Sequence, residues 1–313
     1  MKDNKNQHFV PQYYLKNFSV SENINIYDLK DKKSFTNSIK STAYKKFFYN
    51  VDVDFFNKII IDEKYEEFDF IDKIINKHNE SILAAFFDSF NKTKDRIINK
   101  DNRETISVID FHSLVDFVLV QTYRNPKFSL FFKEIDNLIK SKYKVDNTKE
   151  FDKITRGIVI LLLFNEVHYG KKTKFKEEIS MSFKEIIDEI KKMKQLITDS
   201  YKIVCWNKTS IDFLTSDCAL SFIRLNPNDL FSTIFVPINT KVGVVLVNKE
   251  SSMFDKRIKK NSTIIQLEED DIEDVIVYNQ TIIEKANRFV YSVDGKFPEN
   301  IKDVEYKHWW NLD

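Results

Sequence analysis

Seven polar side chains in this chain have the types that could do chemistry together: His8, Gln12, Gln121, Arg124, Asp217, Asn279 and Arg288. His8 is the member that titrates near neutrality, so it is the natural general acid or base. Arg124 and Arg288 each offer a planar fork that suits a phosphate or a carboxylate. Asp217 follows Thr215-Ser216 at the end of an apolar run. There it could orient an imidazole, bind a metal or accept a proton. The expected catalytic residues are therefore His8 and Asp217, and the expected substrate-binding residues are Gln12, Gln121, Arg124, Asn279 and Arg288. No metal ligand set is expected, and the sequence names no cofactor.

Each of these residues also has a structural reading. His8 could cap or lie on the surface, and Gln12 could tie down a loop. Arg124 sits in the last turn of an expected helix, where a cation complements the dipole. Asp217 could hold a turn, and a buried Asn279 would serve backbone groups. His112 and Asp116, one helical turn apart, are accounted for by a solvated face.

Several chemistries are absent from the letters. Gly157, Gly170, Gly243 and Gly295 stand far apart, so neither a P-loop nor a dinucleotide fingerprint can be written. There is no Gly-x-Ser-x-Gly elbow. The histidines His8, His78, His112, His168 and His308 include no His-Glu-x-x-His pair. Arg124-Asn125 begins like the Arg-Asn-x4-His motif of helical ribonucleases, but the histidine is missing.

The opening run His8-Phe9-Val10-Pro11-Gln12-Tyr13-Tyr14-Leu15-Lys16-Asn17-Phe18 gathers an imidazole, a proline and a carboxamide within five positions. Further runs follow in order: Gln121 to Pro126, Trp206, Phe213 to Asp217, Phe235 to Ile238, Asn279, and Arg288 to Ser292. Together they resemble the domain-of-unknown-function (DUF) family 4238, whose members open with His-x-x-Pro-Gln-aromatic-Tyr-Leu-x-x-Phe. The resemblance covers nearly the whole chain and implies a fold-level relative without an assigned reaction. One departure is Cys218-Ala219, where members commonly carry Asn-Pro.

With 42% hydrophobic residues, the 313-residue chain can bury a sizeable core. Its 49 Lys and Arg against 48 Asp and Glu leave a net charge of +1, which excludes a globally basic nucleic-acid binder and leaves only a local patch. The abundance of lysine, asparagine and isoleucine suggests an AT-rich bacterial genome. Cys205 and Cys218 are too few for a disulfide scaffold and fit a reducing cytoplasm. The polar start, Met1 to Gln7, is followed by no apolar signal core. The longest apolar run, Ile158 to Phe164, falls short of the roughly 20 residues of a spanning helix. A soluble, cytoplasmic protein with no membrane partner is expected.

These residues need elements to position them. Pro11 suits the first turn of a short helix reaching Phe18. The alternation from Asn23 to Leu29, the turn at Asp31-Lys32-Lys33 and then Ser34-Phe35-Thr36 predict a hairpin. From about Glu66 the spacing turns helical, with further helices expected at about 103–124, 127–142, 150–168 and 182–198. Strand signals return at 201–206 and 211–215, at Thr233 to Ile238 and Val242 to Val247, and at Thr263 to Leu267. A helix is expected from about Asp270 to Asn287, with acidic residues in its first turn. The aromatic tail from Tyr306 to Trp310 reads as a plug over the core, or as a stacking surface for bases.

The expected fold is α+β: a mixed or antiparallel sheet built from N- and C-terminal segments around a large central helical insertion. It is read as one domain over 1–313, with a β-rich segment at 1–60, the helical insertion at 61–198, and a β-rich segment with one helix at 199–313. Two domains divided near residue 200 are the alternative. That order would draw His8 toward Asp217.

The functional expectation is a hydrolase or nuclease-like enzyme acting on a phosphate-bearing substrate, nucleic acid or nucleotide, with His8 moving protons. The competing expectation is a non-catalytic binding or assembly module in which the same polar residues form a structural network. Convergence on a solvent-connected pocket would favour the first, and internal hydrogen bonding the second.

Overall fold

Alternation of apolar and polar residues from Asn23 to Asp28 gives a strand with one face in the core, and the fold grows from such strands at both ends of the chain. The computed structural model describes residues 6–46, 53–59, 71, 73, 75, 84–90, 110–125, 157–163, 177–223, 231–250 and 262–306. The described strands are β1 (Asn6–His8), β2 (Asn23–Asp28), β3 (Lys33–Ser38), β4 (Tyr44–Lys46), β5 (Tyr201–Asn207), β6 (Thr215–Ser216), β7 (Ser221–Ile223), β8 (Thr233–Asn239), β9 (Val242–Val247), β10 (Ser262–Leu267) and β11 (Phe289–Ser292). The principal described helices are α1 (Gln12–Leu15), α2 (Val53–Ile59), α3 (Phe111–Arg124), α4 (Glu177–Asp199) and α5 (Ile272–Lys285). Shorter helical stretches lie at 84–90 and 157–162. The expected helix at 127–142 and the tail beyond Tyr306 lie outside the described residues.

The chain is α+β. It forms two compact units, one of Met1–Phe9, Tyr44–Ser81 and Leu119–Gln195, the other of Val10–Ala43, Ile82–Val118 and Leu196–Asp313. In the first, β1 pairs antiparallel with β4, placing His8 opposite Tyr44. In the second, a five-stranded sheet runs β10-β5-β9-β8-β7, with β10 parallel to β5 and the other pairs antiparallel. A four-stranded antiparallel sheet runs β3-β2-β11-β6. N-terminal β2 and β3 thus share a sheet with C-terminal β11 and β6, as the order of strand signals predicts.

Helix α5 packs Val275, Ile282 and Ile283 into the second unit's core beside Cys205, Phe213, Phe235 and Val290. Each of these apolar side chains contributes about 1.5–3 kcal/mol by leaving water. Glu273 and Asp274 occupy the helix's first turn, where its dipole favours them. Burial pushes the Cys205 thiol up to about 12, opposed by its hydrogen bond with Tyr278.

Helix α2, Val53–Ile59, stands within the segment expected to be β-rich. One expectation is corrected. Residues 211–214 form no strand, and only Thr215–Ser216 do. Their backbone takes other partners: the Phe213 N–H donates to the Thr240 carbonyl, and Asn279 serves Leu214 and Asp212. The turn after β5 is closed by Asn207, whose Oδ1 accepts from the N–H and hydroxyl of Thr209.

Gly243 on β9 leaves space that an aromatic ring fills. A Cβ there would stand 2.5 Å from the Phe235 ring. That ring stacks on Tyr278 at 4.5 Å between centroids and meets Phe213 edge-on, so it has nowhere to retreat. Gly243→Ala is expected to cost about 1–3 kcal/mol by overpacking. A urea unfolding midpoint unchanged from wild type would show that the ring can yield.

Candidate functional site

Asp217 is almost fully buried, and both of its carboxylate oxygens are engaged. Oδ1 accepts the Asn287 N–H at 2.7 Å, and Oδ2 accepts those of Arg288 at 2.9 Å and Phe289 at 3.2 Å. The Asp217 N–H donates in turn to the Phe289 carbonyl. Three successive N–H groups leaving α5 for β11 thus converge on one carboxylate. Without it they would stand buried or partly buried at a bend without that acceptor. Just after it, Ala219 adopts the left-handed region at φ 60°, with its N–H bonded to the Ser216 carbonyl. A non-glycine residue there costs about 1–2 kcal/mol.

Tyr14 braces the same turn from the other side. This fully buried side chain directs its hydroxyl to the Pro237 carbonyl at 2.7 Å and the Ala219 carbonyl at 3.3 Å, and shares a 2.8 Å hydrogen bond with the Thr215 hydroxyl. Burial pushes its phenol well above the usual range, so it remains a donor at neutral pH. Strand β7 pairs with β8 only as far as Phe235, so the Pro237 carbonyl lies beyond that ladder and Tyr14 serves it.

Arg288 grips Asp28. Its Nε lies 3.0 and 3.1 Å from the two carboxylate oxygens and its Nη2 2.6 Å from Oδ2, with Asp31 a further 3.2 Å partner. Asp28 also accepts the N–H groups of Lys30 and Asp31, which fixes the turn between β2 and β3. Burial raises the Asp28 carboxyl, but the Arg288 hydrogen bonds, the Asp31 N–H, the Arg288 charge and the Lys30 N–H together outweigh it, and the net direction is downward. A carboxyl held below its unfolded value of about 3.9 contributes stability that is complete above that pH and lost as pH falls through the folded value. The melting temperature of wild type should therefore drop on acidification below about pH 4, and Asp28→Asn should flatten that part of the curve. Parallel curves for the two proteins would refute the assignment.

Asn279 faces inward from α5. Its Oδ1 accepts the Leu214 N–H at 2.8 Å and its Nδ2 donates to the Asp212 carbonyl at 2.9 Å. In the first unit, buried Arg124 donates from Nη2 to the His8 carbonyl. Gln121, one turn earlier on α3, is also buried, and its Nε2 has no hydrogen-bond partner among the described residues. The half-buried His8 ring lies 5.7 Å from that of Tyr44, tilted by 58°. Gln12 is half-buried at the start of α1.

The seven residues therefore fall into groups. His8, Gln121 and Arg124 belong to the first unit, and Gln12, Asp217, Asn279 and Arg288 to the second. Within the second unit, Asp217, Asn279 and Arg288 each hold a different stretch of backbone or a carboxylate. Among the described residues, no group of three His, Cys, Asp or Glu side chains is arranged to hold a metal. His112 is exposed on α3. His78, His168, His308, Trp309 and Trp310 lie outside the described residues.

The sequence reading passed over Tyr14 and Asp28. Tyr14 stood inside the opening run without a role of its own, while Asp28 ended an alternating strand three residues before Asp31. That Asp-x-x-Asp spacing across a hairpin turn is the signal that could have marked an arginine seat.

A family model described as "Protein of unknown function (DUF4238)" matches residues 6–296. No curated protein and no solved structure matches the chain.

Proposed function

We propose that this chain, which belongs to the DUF4238 family of proteins of unknown function, is a non-catalytic binding or assembly module whose polar residues form a structural network. The observation that carries this reading is the Asp217 carboxylate, with three main-chain N–H donors on its two oxygens. A group so engaged is fixed as an acceptor and has little capacity left to turn an imidazole or take up a proton. Arg288 is likewise committed to Asp28, and Asn279 to two backbone groups.

No helix among the described residues is long and apolar enough to cross a membrane. Cys205 and Cys218 are buried thiols outside any disulfide, which supports a cytoplasmic location. The residue usage supports a bacterial source. The reading of 1–313 as one domain also belongs to this proposal. It is supported by the chain passing between the units at 9–10, 43–44, 81–82, 118–119 and 195–196, so that a cut near residue 200 would strand β2 and β3 from β11.

A second reading keeps the hydrolase or nuclease-like enzyme on a nucleotide or nucleic acid, with His8 as acid or base. The observation in its favour is the half-buried imidazole on a strand whose backbone is clasped by Arg124. The two readings part in one experiment: purified wild type and His8→Ala are screened against nucleotides, RNA and DNA with and without divalent metal. The module reading expects no turnover by either protein. Turnover by wild type that His8→Ala abolishes would overturn it.

A further inference from the structure

Strand β3 closes one side of the four-stranded sheet, and Lys33, Ser34, Phe35 and Thr36 are all exposed. A strand at a sheet edge presents a row of main-chain donors and acceptors, and proteins usually block such rows with proline, a bulge, central charges or a covering segment. Among the described residues, β3 has none of these. Its register with β2 is unbroken from Asn23↔Ser38 to Asp28↔Lys33, and it contains no proline. Its one charge, Lys33, is terminal and ion-paired with Asp31 at 3.3 Å. At its centre stands Phe35, which is 37% exposed.

We propose that β3 is a self-association edge, pairing antiparallel with β3 of a second copy across a two-fold axis at Phe35. Strand geometry selects the register. Alternate residues of a strand turn their N–H and C=O groups to the same side, and residues directly opposite in an antiparallel pair are either both hydrogen-bonded or both not. A two-fold axis relating two copies of one strand must therefore pass at a residue and not between two. At Phe35 it sets the exposed ring against its own copy, Ser34 opposite Thr36, and Lys33 opposite Asn37, with no like charges facing. At Thr36 it would set each ring against an asparagine.

This self-complementarity favours a second copy over an unrelated extended peptide, and closed two-fold dimers are the commonest assemblies. The two four-stranded sheets would become one continuous sheet. A single strand pair buries less than the about 1,000 Å² of a standard interface, so the dimer is weak and concentration-dependent. The inference rests on the assembly reading above and names its contact.

The test uses the full chain. Sedimentation of wild type should show a monomer–dimer equilibrium, and Phe35→Glu should abolish it while circular dichroism shows the variant still folded. Under mild oxidation Phe35→Cys should give a disulfide-linked dimer. Asn37→Cys should not, since in this register the two residues 37 lie well apart on either side of the axis. Wild type that stays monomeric at every concentration, a Phe35→Glu protein that still dimerises, or equal cross-linking at residues 35 and 37 would each overturn the contact. These outcomes leave the scaffold role of Asp217 untouched, whereas turnover that depends on His8 would overturn the module reading and not the dimer.

Discussion

Asp217→Ala should lower folding stability by about 3–5 kcal/mol, because it leaves the N–H donors of three consecutive residues, one buried and two partly buried, without their acceptor. A single unsatisfied donor costs about 1–3 kcal/mol, and water entering the small vacated space would return part of the loss. Asp217→Asn should recover little. Its one carbonyl oxygen can serve one side of the bend, while its amide presents hydrogens to the remaining N–H groups. Urea unfolding followed by tryptophan fluorescence measures both variants. A loss below about 1 kcal/mol for Asp217→Ala would mean that the bend into β11 finds other partners, and the module reading would lose its main support.

Tyr14→Phe should cost about 2–3 kcal/mol, although it removes one oxygen and opens almost no cavity. The loss comes from the carbonyls of Pro237 and Ala219, which stay buried after their donor is gone. Thr215→Val tests the same knot from its other member. In a double-mutant cycle the two substitutions should couple, since they share the 2.8 Å hydrogen bond. Strictly additive losses would show that the hydroxyls act independently.

Much of the architecture was legible in the letters. The hairpins β2–β3 and β8–β9 followed from period-two alternation between turn residues, and α5 from an acidic first turn and an apolar face. What periodicity could not show was how residues 211–214 bind. Their apolar pattern suits a strand, yet a side chain 65 residues away takes the place of a ladder. The helix at 53–59 was hidden because Val53-Asp54-Phe55-Phe56 mixes polar and apolar positions with no clear period.

The candidate site was legible as a set of residues and not as a set of partners. Asn279, expected as a substrate-binding residue with a backbone-serving role as the alternative, is buried and bonds two backbone groups. For Arg288 the sequence offered anion binding, but its carboxylate partner stands 260 residues earlier. The Asp28-x-x-Asp31 spacing marks a seat for a cation without saying which one fills it, because neither residue's neighbours change with the identity of the partner.

β2 supplies the middle of a sheet whose next strand, β11, begins only at Phe289. During synthesis the hairpin β2–β3 leaves the ribosome before β11 and then waits, with the hydrogen-bonding row that β11 will cover open, until the chain has been translated as far as Ser292. Closure over so large a sequence separation raises contact order and slows folding. Nascent chains that stall before β11 therefore leave the β2 row open as well as that of β3, and binding by chaperones should be concentrated in that window.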